Sequence, residues 1–358
     1  MYRSRWNKVK AYLKKKRRDA YIVRGASNIR YLYASHLPHD SSLATFFVIF
    51  RKGGVAAITS SLEAHRTQTQ GAPGAPVHIF SSLPHVGAQY KNFNEALQTV
   101  LAKGKVKKAF CDAPMKVKGV KVQEDDVVGK IRAIKDEHEL KCIKAACKIT
   151  DVAAAKLQDL LRPGASERSV HRELNYIMET QGADSLAFET IVASGPHSAY
   201  PHHDLSDRKF KKGDPVTCDF GAVYRGYCAD LTRTYFAGNP TKELAQIYNA
   251  VFESYKAGVK ASKVGNMLGN VDKACREVLV EYGYGKYYVH STGHGVGLDV
   301  HEEPRVVPGI KEKVLKGMVF TVEPGVYVPG LGGVRIENDI YIGSRGPVVL
   351  NKAKIPTY

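Results

Sequence analysis

Asp214-Pro-Val-Thr-Cys-Asp-Phe-Gly-Ala-Val-Tyr-Arg-Gly-Tyr-Cys-Ala-Asp-Leu-Thr-Arg-Thr-Tyr-Phe236 reads as a β-hairpin. Residues 216–223 and 227–236 are rich in β-branched, aromatic and small residues, and Tyr224-Arg225-Gly226 supplies the turn. With the tip at Tyr224-Arg225, Asp219 and Asp230 oppose each other, on one face, with Cβ atoms about 4.5–5.5 Å apart. Two adjacent carboxylates repel unless a cation lies between them, and a divalent metal would satisfy both. The plainer alternative, a solvated hairpin with two turn-flanking aspartates, stays open on this stretch alone.

Working outward, the C-terminal third holds three more ionisable residues in strand-like or glycine-rich contexts. His294 lies in His290-Ser-Thr-Gly-His-Gly-Val-Gly297, where the glycines allow close backbone approach or positive φ. Glu323 follows an apolar run in Phe320-Thr-Val-Glu-Pro-Gly325, and Glu337 is embedded in Val334-Arg-Ile-Glu-Asn338. Taken singly, each acid reads as hydrogen-bonded or salt-bridged, because acids in apolar strands need a partner. Together, two Asp, two Glu and one His form an oxygen-rich donor set suited to Mn²⁺, Co²⁺, Fe²⁺ or Zn²⁺ and not to a thiolate zinc site. Five donors are few for two separate ions, so shared carboxylates around a dimetal pair are expected, with hydrolysis by a bridging hydroxide as the inferred chemistry.

The 358 residues accommodate two domains. The first 128 alternate strands (residues 20–23, 46–50, 55–59, 77–80, 106–111) with helices, as in a small α/β domain. Residues 129–358 run helix-helix-strands twice (helices from 136, at 167–180, 243–255 and 271–282; strands at 188–194, 287–290, 319–323 and 334–342). The first of these helices ends at Pro163-Gly164, and the doubled order suggests two related halves with a site between them. The overall class is α+β.

Composition is globular, 44% hydrophobic and 25% charged, without an apolar run of the ~18–20 residues a membrane span needs. Six cysteines without a CxxC pair read as buried, reduced thiols, and the N-terminus lacks a secretory pattern, so a cytoplasmic protein is expected. Cys218 should face away from the Asp219 side, and Cys228 should share the face of Asp230. The net charge is +18, and nine of the first eighteen residues are Lys or Arg. Such a run can bind nucleic acid. However, Tyr2, Trp6, Val9 and Leu13 recur at helical spacing, so a docked helix with a solvated basic face is preferred.

Five separated motifs strongly resemble the pita-bread metallopeptidases, the group of proline dipeptidase, aminopeptidase P, methionine aminopeptidase and the metal-free creatinase. They are Val216-Thr-Cys-Asp-Phe-Gly, Asp230-Leu-Thr-Arg-Thr, His290-Ser-Thr-Gly-His-Gly-Val-Gly-Leu-Asp-Val-His-Glu-Glu-Pro304, Thr321-Val-Glu-Pro-Gly-Val-Tyr and Arg335-Ile-Glu-Asn. The resemblance runs from about Ile131 to the C-terminus. It implies a pita-bread catalytic domain with pseudo-twofold αα-β halves over 129–358, behind a creatinase/prolidase-like domain over 1–128.

By this resemblance Asp219 chelates one metal, His294 and Glu323 bind the other, and Asp230 and Glu337 bridge them. Glu323 also shuttles a proton from the nucleophilic water to the leaving proline nitrogen. His202 lines the substrate pocket, His301 stabilises the developing oxyanion, His290 is a further active-site histidine, and Arg335 orders the site. For these four the plainer reading is a hydrogen-bonded structural residue. Intact ligands argue against a creatinase-like enzyme and against a peptidase-like module that binds nucleic acid through its basic N-terminus.

The large first domain implies a dipeptidase or aminopeptidase P. Arg305 resembles the arginine that grips a dipeptide's C-terminal carboxylate, which favours Xaa-Pro dipeptides over longer peptides; the plainer reading is a surface loop arginine. Two metal ions per subunit, Mn²⁺ or Co²⁺ foremost, and a homodimer are expected. The loop of His36, His39 and Asp40 is a candidate contact to a partner's site.

Overall fold

The computed structural model describes residues 2–33, 45–83, 87–162 and 164–358. His36, His39, Asp40 and Pro163 therefore lie outside the described residues. The chain divides into two compact units, residues 1–132 and 133–358.

In the first unit the elements are α1 (Tyr2–Lys16), β1 (Ala20–Val23), α2 (Ala26–Leu32), β2 (Phe46–Phe50), β3 (Val55–Ser60), α3 (Ala64–Gln70), β4 (Val77–Phe80), α4 (Phe93–Lys103), β5 (Lys108–Cys111), β6 (Lys121–Glu124) and α5 (Val127–Arg132). The strands form one mixed sheet in the order β4-β3-β2-β1-β5-β6. Helix α4 lays Ala96, Leu97, Val100 and Leu101 on Ile22, Val48 and Ile58. The other face takes α1, whose Trp6 ring packs against Phe47, the neighbour of Val48 that points the opposite way. Trp6, Val9 and Leu13 are buried while Lys14, Lys15 and Lys16 stay exposed, so the basic helix is docked by its apolar stripe. The sequence reading missed α2, a two-turn helix too short for a periodic signal.

The second unit opens with α6 (Glu137–Ala154), α7 (Leu157–Leu160) and α8 (Glu167–Thr180). Asp136 and Ser166 close capping boxes at the starts of α6 and α8. Strands β7 (Ser185–Leu186), β8 (Ile191–Ser194), β9 (Pro215–Phe220), β10 (Ala222–Tyr224), β11 (Tyr227–Cys228) and β12 (Leu231–Phe236) follow, then α9 (Lys242–Ala261) and α10 (Leu268–Glu281). The chain ends with β13 (Gly293–Gly295), β14 (Glu302–Val306), β15 (Val319–Val322), β16 (Gly325–Val328), β17 (Gly332–Arg335), β18 (Asn338–Gly343) and β19 (Gly346–Val349).

Two helical layers cover two sets of strands, each with its own core. Leu157, Val170, Leu174 and Met178 pack on Val192, Val216, Cys218 and Phe220. Ile247, Val251, Val271 and Leu279 pack on Phe320, Val322, Val334 and Ile340. This is the expected αα-β doubling of an α+β domain. Among the described residues no helix is long and apolar enough to cross a membrane.

Three expectations need correction. The hairpin turns at Arg225-Gly226, both with positive φ (49° and 79°), so its register places Asp219 opposite Thr232 and not opposite Asp230. A two-residue turn with positive φ at both positions matches the strand twist, and that fixes the pairing. Residues 287–290 form no strand; a 3-10 turn, Gly285–Tyr287, ends there. Residues 334–342 are two strands, β17 pairing with β16 and β18 with β15 and β19, with Ile336-Glu337 at the break.

Candidate metal centre

The hairpin is also broken. Strand β9 lies in the sheet β12-β9-β8, whereas β10 lies in β11-β10-β7. The change occurs at Gly221, where a Cβ would meet the Ala229 carbonyl oxygen at 1.9 Å. On the return strand it occurs at Ala229-Asp230, between β11 and β12. Asp230 and Glu337 thus both sit where a strand leaves one sheet for another.

The glycines around His294 have a different cause from the one expected. Their φ values are not positive; instead a Cβ at Gly293 would lie 2.0 Å from the Thr321 carbonyl oxygen, and one at Gly295 2.2 Å from that of Glu303. Close packing between strands requires them.

Donor atoms of Asp230, His294 and Glu337 lie within 4.8 Å of one another. His294 Nε2 is 3.2 Å from Glu323 Oε1 and 3.7 Å from Asp230 Oδ2. Glu323 follows β15, where its backbone N–H donates to the Thr292 carbonyl at 2.9 Å, and Thr321 Oγ1 donates to its Oε1 at 3.1 Å. Thr232 Oγ1 donates to Glu337 Oε2 at 2.6 Å. Arg335 donates through Nη2 to Asp219 Oδ2 (2.6 Å), through Nη1 to Tyr327 Oη (2.8 Å) and the Pro201 carbonyl (3.3 Å), and through Nε to Thr232 Oγ1 (3.0 Å). All five expected ligands and Arg335 are thereby linked.

Each of Asp219 Oδ1, Asp230 Oδ1 and Glu337 Oε1 is buried without a hydrogen-bond partner. A buried carboxylate oxygen without a donor costs free energy, on the order of 1–3 kcal/mol or more for a charged group. Three in one cluster fit divalent cations, which accept this oxygen-rich set with one imidazole. Burial, followed by the charges of Glu337, Asp219, Asp339 and Glu323, holds the Asp230 carboxyl well above its ordinary pKa. Glu337 is raised likewise, by burial and then by Glu323 and Asp219. Glu323 moves the other way: burial opposes ionisation, but the hydrogen bond and charge of His294, with His290 and Arg335, bring it to about 2.

The other sequence candidates lie around this cluster. The His301 ring meets His294 edge-on at 4.1 Å between centroids, and burial followed by the His294 charge lowers its pKa. His290 Nε2 is 2.8 Å from Tyr327 Oη, so Tyr327 joins it to Arg335. Arg305 on β14 pairs directly with His294 on β13, and its side chain is exposed. His202 is exposed in the segment whose Pro201 carbonyl accepts from Arg335. Cys218 lies in the helix-side core, away from Asp219, and buried Cys228 points to the Leu298 carbonyl at 4.0 Å.

Sequence reasoning assigned no role to Tyr327, Thr232 or Asp339. Asp339 Oδ2 accepts from the Asp230 backbone N–H at 3.0 Å and from Cys147 Sγ at 3.4 Å, and burial pushes its carboxyl up to about 7. Its position two residues after Glu337, in an apolar strand, was the available signal.

The model of metallopeptidase family M24 matches residues 141–344. The Xaa-Pro dipeptidase of Pyrococcus horikoshii is 34% identical over 349 residues, covering 97% of this chain and 96% of that one. Alignments with other curated relatives span 60–66% of those relatives' lengths. Among solved structures, the Xaa-Pro dipeptidase from Bacillus anthracis superposes with a TM-score of 0.90 at 32% identity, covering 100% of this chain and 99% of that one. The X-Pro aminopeptidase from Thermotoga maritima superposes at 0.84 with 28% identity, covering 99% of both chains.

Proposed function

Because the chain belongs to metallopeptidase family M24, we propose that it is a pita-bread metallopeptidase that hydrolyses the Xaa-Pro bond of dipeptides. The observation that carries this reading is the cluster of Asp219, Asp230, His294, Glu323 and Glu337, in which Asp230 and Glu337 are buried and the others half-buried, with three buried carboxylate oxygens lacking a protein partner. These five residues hold divalent metal ions, two per subunit in our reading, with Mn²⁺ or Co²⁺ foremost. Bound there, such ions supply an acidified water and electrophilic stabilisation of the peptide carbonyl.

The protein's own residues do the rest. Glu323, oriented by the Thr321 hydroxyl, accepts a proton from the attacking water and returns it to the proline nitrogen as the C–N bond breaks. His301 donates to the substrate carbonyl as its oxyanion develops, and His202 lines the pocket. Arg335 fixes Asp219 and, through Tyr327, His290. Arg305, opposite His294, grips the substrate's C-terminal carboxylate, which selects dipeptides over longer chains.

The deciding experiment is hydrolysis of Met-Pro against a Xaa-Pro-Xaa tripeptide, after chelation and addition of Mn²⁺ or Co²⁺. Cleavage confined to the dipeptide supports the proposal; preference for the tripeptide assigns the protein to aminopeptidase activity and makes Arg305 incidental. We further propose a homodimer, to be checked by light scattering. A cytoplasmic location is also proposed, in keeping with six buried cysteines.

A further inference from the structure

A second carboxylate–histidine cluster lies outside the metal centre. Glu167, the first residue of α8, is fully buried. Its Oε1 accepts from Ser194 N (2.8 Å) and Ser194 Oγ (2.7 Å), and lies 3.0 Å from His197 Nδ1. Its Oε2 lies 2.9 Å from His203 Nε2 and accepts from Ser206 Oγ. Donor atoms of Glu167, His197 and His203 are close enough to share a cation, as are those of Asp230, His294 and Glu337.

The two clusters differ in one respect. Asp230 and Glu337 each keep a buried oxygen without a partner, whereas both Glu167 oxygens are occupied, in a pocket with five donor groups. Burial opposes ionisation of Glu167, but the bonds from Ser206, Ser194 and His203 hold its pKa below the ordinary carboxylate value. The donors come from both ends and the interior of one segment, residues 194–206. That segment carries His202 and the Pro201 carbonyl that accepts from Arg335. It is also seated on β17, where Gly333 N donates to Ser198 Oγ at 2.8 Å, two residues before Arg335.

We infer that Glu167 is a positioning residue: it fastens the 194–206 segment at both ends so that His202 is presented to the substrate pocket and the Pro201 carbonyl to Arg335. A charged acceptor bonded by several donors, anchored on a capped helix start, is a rigid tether for an irregular loop. The inference rests on the proposed pocket roles of His202 and Arg335.

The test compares Glu167→Gln, the milder Ser206→Ala and His202→Ala in the full-length, Mn²⁺-loaded protein. Glu167→Gln should raise KM for Met-Pro at least fivefold with kcat changed less than twofold. It should also accelerate amide hydrogen exchange across 194–206, with Ser206→Ala moving both readouts the same way by less. In the double variant Glu167→Gln/His202→Ala, KM should be no worse than in His202→Ala alone. Unchanged exchange in both Glu167→Gln and Ser206→Ala overturns the tether, as does a lower melting temperature without a KM effect in Glu167→Gln when His202→Ala does raise KM. If His202→Ala leaves KM and kcat unchanged, the pocket reading fails, while faster exchange in Glu167→Gln would still establish the tether. A third equivalent of Mn²⁺ or Zn²⁺ lost in His197→Ala and His203→Ala would make the cluster a metal site and overturn the inference.

Discussion

Arg335 Nη2 donates to Asp219 Oδ2 at 2.6 Å, and Asp219 Oδ1 is left buried without a partner. One oxygen is committed to orientation and the other is available to a cation. Replacing Arg335 with Ala leaves the Asp219 charge uncompensated, which for a buried pair costs about 3–5 kcal/mol. Arg335→Ala should therefore lower stability by about that amount in urea denaturation. Arg335→Lys keeps the charge but cannot reach Asp219, Tyr327 and Thr232 together, and should lose more than tenfold in kcat/KM. Wild-type kcat/KM in Arg335→Lys would remove Arg335 from the site.

The raised pKa values of Asp230 and Glu337 give the metal-free protein an unusual pH response. At pH values above the ordinary carboxylate pKa the unfolded chain has released these protons while the folded one retains them. Stability of the chelated protein should fall as pH rises through that window, because folding then binds protons. Metal binding displaces those protons and should cancel the fall. Melting curves from pH 4.5 to 8, with and without Mn²⁺, check this; parallel curves would contradict it.

Arg305 is exposed, so its removal should leave folding intact. Losing a charge-assisted bond of about 1.5–3 kcal/mol should raise KM for Met-Pro roughly tenfold or more. Activity on Met-Pro-amide, which lacks the carboxylate, should be the same in wild type and Arg305→Ala. Equal losses on both substrates would disprove the assignment.

Gly293 allows β13 to approach β15, where an added Cβ would lie 2.0 Å from Thr321 O. Gly293→Ala must push the strand that carries His294 away from the one that leads to Glu323. We expect a stability loss of about 1–3 kcal/mol and weaker metal retention. Equilibrium dialysis against a chelator reads the second effect, and retention equal to wild type would show the strands relax elsewhere.

Much of the candidate site was legible because the metal ligation proposed for it restricts residue type. Asp219, Asp230, His294, Glu323 and Glu337 are chemically conspicuous in apolar or glycine-rich strands, and the helix starts at Asp136 and Ser166 declare themselves by local capping. Residues that act through partners distant in sequence were not legible. Tyr327 reads as an ordinary strand aromatic until His290 and Arg335 are seen on its hydroxyl. Thr232 reads as a β-branched filler until it is found between Glu337 and Arg335. The hairpin register failed by a small misplacement of the turn, which moved the partner of Asp219 from Asp230 to Thr232.

Asp230 and Glu337 each occupy the short gap where the chain changes sheets. Within a strand, adding or deleting one residue reverses which side chains face inward. At these gaps the same event would also rotate a donor out of the cluster, with no regular ladder to re-register it. Residue count is therefore a constraint here alongside residue identity. A mutagenesis library aimed at new specificity should hold the spacings from Asp219 to Asp230 and from Glu323 to Glu337 fixed, and place its length variation elsewhere.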